Sequence, residues 1–337
     1  MRLIDSLSPR DLVRRSGRPS FERPVTVIVP MFNASAFVEP CLKSLLVQSH
    51  QALEIVCVDD HSADDTYSRA VDQFGADYRV NVLRLARTVG PYQIKNWVIS
   101  RFSSGEFVAM QDVDDLSHPR RIERQIAAMT YAEVEVCGTS IHQFFPPTLP
   151  PRFGDPRRCG PDESGLVHSI AVYTSLAAVT RPVSFSTALG PLRQEFVAKH
   201  GSQMFRRRLL LKYGGFDGHT RFGADTDLNW RLLRFSPILN LPEVLYSRRH
   251  HRGSLTRDPQ TAFGSPLREA YVRRRDWQHE EIRQALAAGD SSRVRSLCTR
   301  DCYAGGVEVE TAHMNWDRRH PVRMATPLGE PQDVRAG

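Results

Sequence analysis

The sequence predicts an α/β protein with a doubly wound, mostly parallel sheet, helices on both faces and a helical C-terminal extension. Three observations carry that reading. Between residues 24 and 140, short β-branched runs alternate with stretches of helical spacing about 10–15 residues long. The runs are nearly all apolar, as strands covered on both faces are. Several of them stop at polar or acidic clusters, and sheets of this kind bind ligands beyond the carboxyl ends of their strands.

Residues 1–23 are polar and arginine-rich and read as a short helix or loose arm. Val25–Val29 is a strand closed by Pro30. Phe37, Cys41, Leu42, Leu45 and Leu46 then repeat at helical spacing, with Pro40 expected in the first turn because proline disrupts a helix interior. A second strand, Glu54–Asp59, ends in Asp59-Asp60, and Ser62 or Asp64 can cap a helix over 65–74. Val80–Leu85 is the third strand, followed by a helix over 92–102; Glu106–Gln111 is the fourth. Pro119 opens a helix with Ile122, Ile126 and Met129 on its apolar face, and residues 133–140 form a fifth strand. Residues 145–165, rich in proline and glycine, read as a long loop of the lid or binding kind. Residues 166–200 mix helix and loop, and 201–250 regain order with a helix over 225–235. Beyond residue 256 a helix over 269–288 precedes a weakly patterned tail.

A chain of 337 residues can bury one large core or two ordinary ones. Its 41% hydrophobic and 25% charged residues are those of a soluble globular protein, and no apolar run approaches the ~20 residues that cross a bilayer. An early acid, Asp5, and the lack of a long apolar segment argue against a secretory signal, so the expected location is the cytoplasm. Cys41, Cys57 and Cys137 lie in apolar segments and read as core, and Cys298 and Cys302 lack the second pair a zinc site needs. The net charge of +7, bunched in arginine clusters at 120–121, 206–208, 248–249 and 273–275, suits an anionic partner. Such clusters can equally be solvated faces. With no zinc finger, RNA-binding signature or basic heptad region, nucleic acid is not the expected partner, while peripheral contact with the inner membrane face is compatible with the charge.

The most informative stretch is Phe107–Leu116, an apolar strand that delivers Asp112, Asp114 and Asp115 to its own end. Clustered carboxylates repel, and oxygen ligands of this type suit Mg²⁺ or Mn²⁺, which commonly hold phosphates as well. The bland alternative is that acidic residues merely end a strand. Pro30–Asn33, Asp59-Asp60 and Asp112–Asp115 would nevertheless converge on one crevice. The first strand leads into Pro-Met-Phe-Asn with no G-x-G-x-x-G, and no Walker A sequence occurs, so a classical dinucleotide or P-loop site is excluded.

In this setting the chain resembles a family-2 glycosyltransferase of the GT-A fold over about residues 24–256. The resemblance rests on Val27-Ile-Val-Pro-Met-Phe-Asn33, Ser44-Leu-Leu-Val-Gln48, Glu54-Ile-Val-Cys-Val-Asp-Asp-His-Ser62, Gly90-Pro-Tyr-Gln-Ile-Lys-Asn96 and Gly105-Glu-Phe-Val before the D-x-D. It continues through Phe205-Arg-Arg, Gly214-Gly-Phe-Asp217, Gly223-Ala-Asp225-Thr-Asp227 and His251-Arg-Gly-Ser-Leu-Thr256. Lys95 stands where the family has arginine, and Ala224 where it has glutamate.

The resemblance implies a nucleotide-sugar-binding half over 24–140, an acceptor-binding half over 141–256, an arm over 1–23 and a C-terminal extension over 257–337. It implies transfer from a nucleotide diphosphate sugar, a UDP-sugar being favoured, to a glycan or lipid-linked acceptor in surface polysaccharide synthesis. Asp60 would accept from the base, with Pro30, Phe32 and Asn33 lining that floor; Lys95 would meet the diphosphate or ribose, and Asp112 and Asp114 belong to the same donor-binding set. Asp114, with Asp112 or Asp115 and with His251, would hold Mn²⁺ or Mg²⁺, His250 being the rival imidazole. Asp225 would be the general base, with Asp227 in reserve, and a single base opposite the leaving group implies inversion. Each residue has a structural alternative: a turn or cap for Asp59-Asp60, an exposed helical lysine for Lys95, and an N-cap for Asp225. Trp97 and Trp230 read as core rather than sugar platforms, and Arg206–Arg208 as an anion site or a solvated face. Two other classes stay open: a sugar-nucleotide pyrophosphorylase, which would need a glycine-rich first loop, and a nucleotide-binding relative without transfer, for which Ala224 is the hint.

Overall fold

The computed structural model describes residues 23–144, 179–180, 199–251, 253–254, 258–262, 264–299 and 307–315. The long loop expected at 145–165, residues 1–22 of the arm expected over 1–23, most of the mixed stretch 166–200, the tail beyond residue 315 and Cys302 lie outside these residues.

Strands β1 (Val25–Met31), β2 (Leu53–Asp59), β3 (Val80–Leu85) and β4 (Phe107–Met110) alternate with α1 (Ser35–Leu46), α2 (Thr66–Phe74) and α3 (Pro91–Arg101). They pair in parallel in the order β3-β2-β1-β4, so the direction of winding reverses at β1. The chain continues through β5 (Leu116–Ser117), α4 (Arg121–Tyr131), β6 (Val136–Phe144), β7 (Val179–Thr180), β8 (Met204–Arg206), α5 (Arg207–Tyr213), α6 (Ala224–Leu232) and β9 (Ile238–Arg249). β8 inserts antiparallel between β4 and β6, and β6 pairs in parallel with the long β9. Helices α7 (Pro266–Ala287) and α8 (Ser291–Cys298) follow, and β10 (Val309–His313) adds antiparallel to β3.

Strand alternation divides the core. Val25, Val27, Val29 and Met31 face a cluster with Val38, Cys41, Leu42, Phe74, Ile122 and Ile126 from α1, α2 and α4. Ile28, Val56, Val58 and Leu83 face the opposite cluster with Ile94, Val98, Leu210, Leu228 and Leu232 from α3, α5 and α6. Both faces are thereby covered, and Cys41, Cys57 and Cys137 are buried as expected. A smaller cluster of Trp230, Ile282, Leu286, Val294 and Cys298 ties α7 and α8 to the outer side of α6. Among the described residues no helix is long and apolar enough to cross a membrane.

Four details differ from expectation. Pro40 lies inside α1, past its first turn. Residue Asp65 is the N-cap of α2 without a side-chain cap bond, while Asp64 accepts from Thr66 N at 3.1 Å. The fifth long strand begins at Val136, after Glu133 has turned the chain with φ 53°. Finally, the tail read as weakly patterned supplies an edge strand.

Candidate active site

The crevice lies where β1, β2 and β4 end. After β1 the chain turns at Asn33, with φ 46°. The Asn33 N–H donates to Ser62 Oγ at 2.9 Å and its Oδ1 accepts from Ala63 N at 2.8 Å, locking the loops after β1 and β2 together. Pro30 is half-buried and Phe32, 48% exposed, stands on the rim. Asp59 faces inward, accepting from Ser62 N at 3.2 Å and pairing with Arg84 at 3.3 Å. The Asp60 carboxylate accepts from Val89 N at 2.7 Å and Gly90 N at 2.9 Å; Gly90 has φ 97°, a backbone conformation that favours glycine. Burial pushes the Asp60 carboxyl up, and the two amides counter it. Asp60 therefore fixes the loop that opens α3.

At the end of β4 the carboxylates take different roles. Asp112 Oδ1 sits 3.4 Å from the Lys95 ammonium, and its backbone N–H donates to the Tyr246 hydroxyl at 3.2 Å. Burial opposes ionisation of Asp112, but the Lys95 ammonium leads the groups that outweigh it and hold the carboxyl below its usual range. Asp114 reaches His251, with 2.9 Å between Oδ2 and Nε2. Asp115 turns inward and accepts from Arg249 N at 2.8 Å. Burial first, then Asp114 and Asp112, push its carboxyl well above the carboxylate range.

This geometry follows from β9. Its pairing with β5, Leu116 against Ser247 and Ser117 against Tyr246, brings the strand carrying Arg249, and the His251 that follows it, beside the acidic loop. Arg121, fully buried, braces the loop from below by donating to Met110 O at 2.6 Å, Ser117 Oγ at 2.7 Å and Gln111 Oε1 at 3.0 Å.

Asp225 lies half-buried in the first turn of α6. Tyr92, from the first turn of α3, donates its hydroxyl to Asp225 Oδ1 at 3.2 Å. Asp225 is not the cap: Gly223 holds that position and no side chain caps the helix. Asp227, the reserve base, is corrected by the structure. It is fully buried, bonded by Arg231 Nε at 2.9 Å and facing His279 at 3.1 Å, so it braces α6 against α7. Ala224 is fully buried among the apolar residues of α3 and α5, where a glutamate side chain would be desolvated.

Lys95 is not an exposed helical lysine; it is 2% exposed. Its Nζ lies 2.6 Å from Nε2 of His200, in the short turn His200–Ser202 before β8. The structure thus links Asp112, Lys95, His200, Tyr92 and Asp225 across one wall, sets Asp114 beside His251, and places Asp60 and Asn33 at the adjoining strand ends. It does not bring Asp115 to face His251. Among the described residues no three His, Cys, Asp or Glu side chains gather as a ready metal site.

The sequence reading missed His200, Tyr92 and Tyr246. Tyr92 reads as apolar helix and Tyr246 as strand core, and His200 follows a stretch without periodicity. Trp230 is buried against His279, and Trp97, half-buried, packs on Phe102 at the margin of the core. The Arg206–Arg208 cluster is spent on the chain itself, pairing with Glu106, the Ile99 carbonyl and Glu135.

Comparison with known proteins agrees with this architecture. The family model for Glycosyl transferase family 2 matches residues 26–213, more than half of the chain, and the chain belongs to that family. The putative glycosyltransferase EpsE of Bacillus subtilis is 32% identical over 123 residues, which covers 36% of this chain and 44% of EpsE. WfgD of Escherichia coli, a UDP-Glc:alpha-D-GlcNAc-diphosphoundecaprenol beta-1,3-glucosyltransferase, is 29% identical over 105 residues, covering 31% of this chain and 40% of WfgD. The chain spans less than half the length of these relatives. The Pyrobaculum calidifontis mannosyltransferase PcManGT, solved with GDP-Man and Mn²⁺, shares the fold with a TM-score of 0.51 at 19% identity, over 86% of this chain and 75% of that one. GalNAc-T7, solved with UDP, GalNAc and Mn²⁺, does so with a TM-score of 0.54 at 17% identity, over 82% and 54%. The fold is thus of the GT-A type.

Proposed function

We propose that this protein moves a sugar, with inversion, from a nucleoside diphosphate sugar to a hydroxyl of a glycan or lipid-linked acceptor in surface polysaccharide synthesis, a UDP-sugar being the favoured donor. The observation that carries the reading is the wall running from Asp112 through Lys95 and Tyr92 to Asp225. It sets a cation for a leaving diphosphate and a carboxylate for an incoming hydroxyl on the same crevice. Residues 24–140 supply the donor side and Asp225 belongs to the acceptor side.

Asp225 Oδ1 is held by Tyr92, which leaves Oδ2 to accept the acceptor's proton as its oxygen attacks the anomeric carbon. The anomeric C–O bond breaks with its electrons passing to the diphosphate oxygen, through an oxocarbenium-like state. The Lys95 ammonium, already fixed in place, stabilises that charge without reorganising. Asp112 draws Lys95 toward the crevice. A divalent ion fits Asp114 and His251: such ions are often held by one or two protein groups, with phosphate oxygens and water completing the shell. When bound, Mn²⁺ or Mg²⁺ would supply further neutralisation of the diphosphate.

Thermal shift of the full chain against UDP, GDP, ADP and nicotinamide dinucleotide, with and without Mn²⁺, tests the reading. Stabilisation by a nucleoside diphosphate that depends on Mn²⁺, and that Asp114→Asn abolishes, is expected. A shift with nicotinamide dinucleotide alone, or an Mn²⁺ effect indifferent to Asp114, would overturn it.

A further inference from the structure

We infer that His200 is a positioning residue for sugar transfer: its neutral imidazole accepts from Lys95 and aims the ammonium at the donor diphosphate. The inference rests on the function proposed above and deepens it. A lysine ammonium has three donors and no acceptor. In this protein one donor meets His200 Nε2 at 2.6 Å and a second meets Asp112 Oδ1 at the longer 3.4 Å. Beyond these the ammonium, 2% exposed, faces the Tyr92 ring with its centroid 5.5 Å away, and the third N–H has no hydrogen-bond acceptor among the described residues. A buried cation with one spare N–H is a site built for an anion that the protein itself does not provide.

The rest of the pocket keeps His200 an acceptor. The imidazole is 7% exposed and lies edge-on to Phe216 and Tyr92, with centroids 5.1 and 5.9 Å away. Those rings fix its plane with Nε2 turned to Lys95, and the neutral ring then carries its proton on Nδ1. Charge cannot replace this contact. Asp112 alone would draw Lys95 toward the acidic loop, whereas a neutral acceptor on the other side holds the ammonium between the two. Arginine cannot replace Lys95 while His200 is present. The guanidinium is longer and planar, and the imidazole already stands 2.6 Å from the lysine nitrogen. Lys95 and His200 therefore act as one unit.

The test is a double-mutant cycle read by calorimetric titration of UDP and GDP, each with Mn²⁺, into the full chain, alongside kcat and KM for donor hydrolysis. His200→Ala is expected to weaken nucleoside diphosphate binding about tenfold, the loss of one charge-assisted hydrogen bond. His200→Gln, which keeps an acceptor oxygen, is expected to restore binding to within about threefold. Lys95→Arg alone should weaken binding about tenfold, and Lys95→Arg with His200→Ala should bind better than Lys95→Arg alone, a strongly non-additive cycle. Thermal melts of each variant separate loss of folding from loss of binding. Additive effects, or unchanged binding in a folded His200→Ala, would overturn the inference while leaving the proposed function intact. If the unaltered protein binds neither nucleotide, the proposed function itself fails, and this inference with it.

Discussion

Gly201 offers a sharp steric test of how the acidic loop is supported. The residue sits in the His200–Ser202 turn, and a Cβ added there would fall on the Tyr246 hydroxyl, 2.7 Å from Cζ and 3.0 Å from Asp112 Oδ2. None of these atoms can retreat cheaply. Tyr246 is fully buried, with the Arg121 guanidinium 5.1 Å from its ring centroid, and its backbone is paired with Ser117. Its hydroxyl also accepts the Asp112 N–H. Gly201→Ala should therefore cost about 1–3 kcal/mol in overpacking and about 1 kcal/mol in the displaced hydrogen bond. The total of roughly 2–4 kcal/mol lowers Tm by several degrees and weakens nucleoside diphosphate binding with it. Urea denaturation measures the first effect and calorimetric titration the second. Adding Tyr246→Phe to Gly201→Ala makes room for the methyl group and should return part of the loss. A loss below about 0.5 kcal/mol with binding intact would refute the packing described around Asp112.

Other expectations follow from the same contacts. His200 titrates near pH 4 rather than 6.5, first because it is buried and then because Lys95 faces it. The unfolded chain takes up that proton near pH 6.5 and the folded chain only near pH 4. His200 therefore contributes stability that is present above pH 6.5 and lost as the pH falls toward 4, on the order of 3 kcal/mol in all. Denaturation at about pH 7.5 and about pH 5 should show a flatter dependence in His200→Gln, and parallel curves would contradict the assignment. Arg231→Met removes the cation that bonds Asp227 and the carbonyls of Tyr213, Gly215 and Cys298. It should destabilise the fold by about 3–5 kcal/mol, and a denaturant midpoint close to that of the unaltered protein would show that Asp227 has other support.

The parallel half of the sheet was legible because its strands are buried on both faces and end in polar clusters. Val25–Val29, Glu54–Asp59 and Val80–Leu85 leave no other reading. The same signal placed Asp60, Asp112 and Asp114, since strand ends of a doubly wound sheet face one crevice. Legibility fails where a long-range contact decides. β9 carries Asn240, Pro242, Ser247, Arg248 and Arg249, so its pattern does not announce a twelve-residue strand. β10 lies at an edge with an exposed face, and Val309-Glu-Thr-Ala-His has too little alternation to stand out. The inward turn of Asp115 depends on Arg249 N, and the burial of Asp227 on His279, partners separated by 134 and 52 residues. His200 belongs with Lys95 only through the insertion of β8 beside β4, a topology that no local pattern encodes.

The assignment of Asp225 is tested most directly by comparing donor binding with turnover in Asp225→Asn. The amide keeps the size of the side chain and can still accept from Tyr92, but it cannot take a proton. Calorimetric titration should find nucleoside diphosphate affinity within about threefold of the unaltered protein, while sugar transfer or slow donor hydrolysis falls by ~10²–10⁴. Turnover that survives the substitution undiminished would contradict the role of Asp225 as the base that faces the donor.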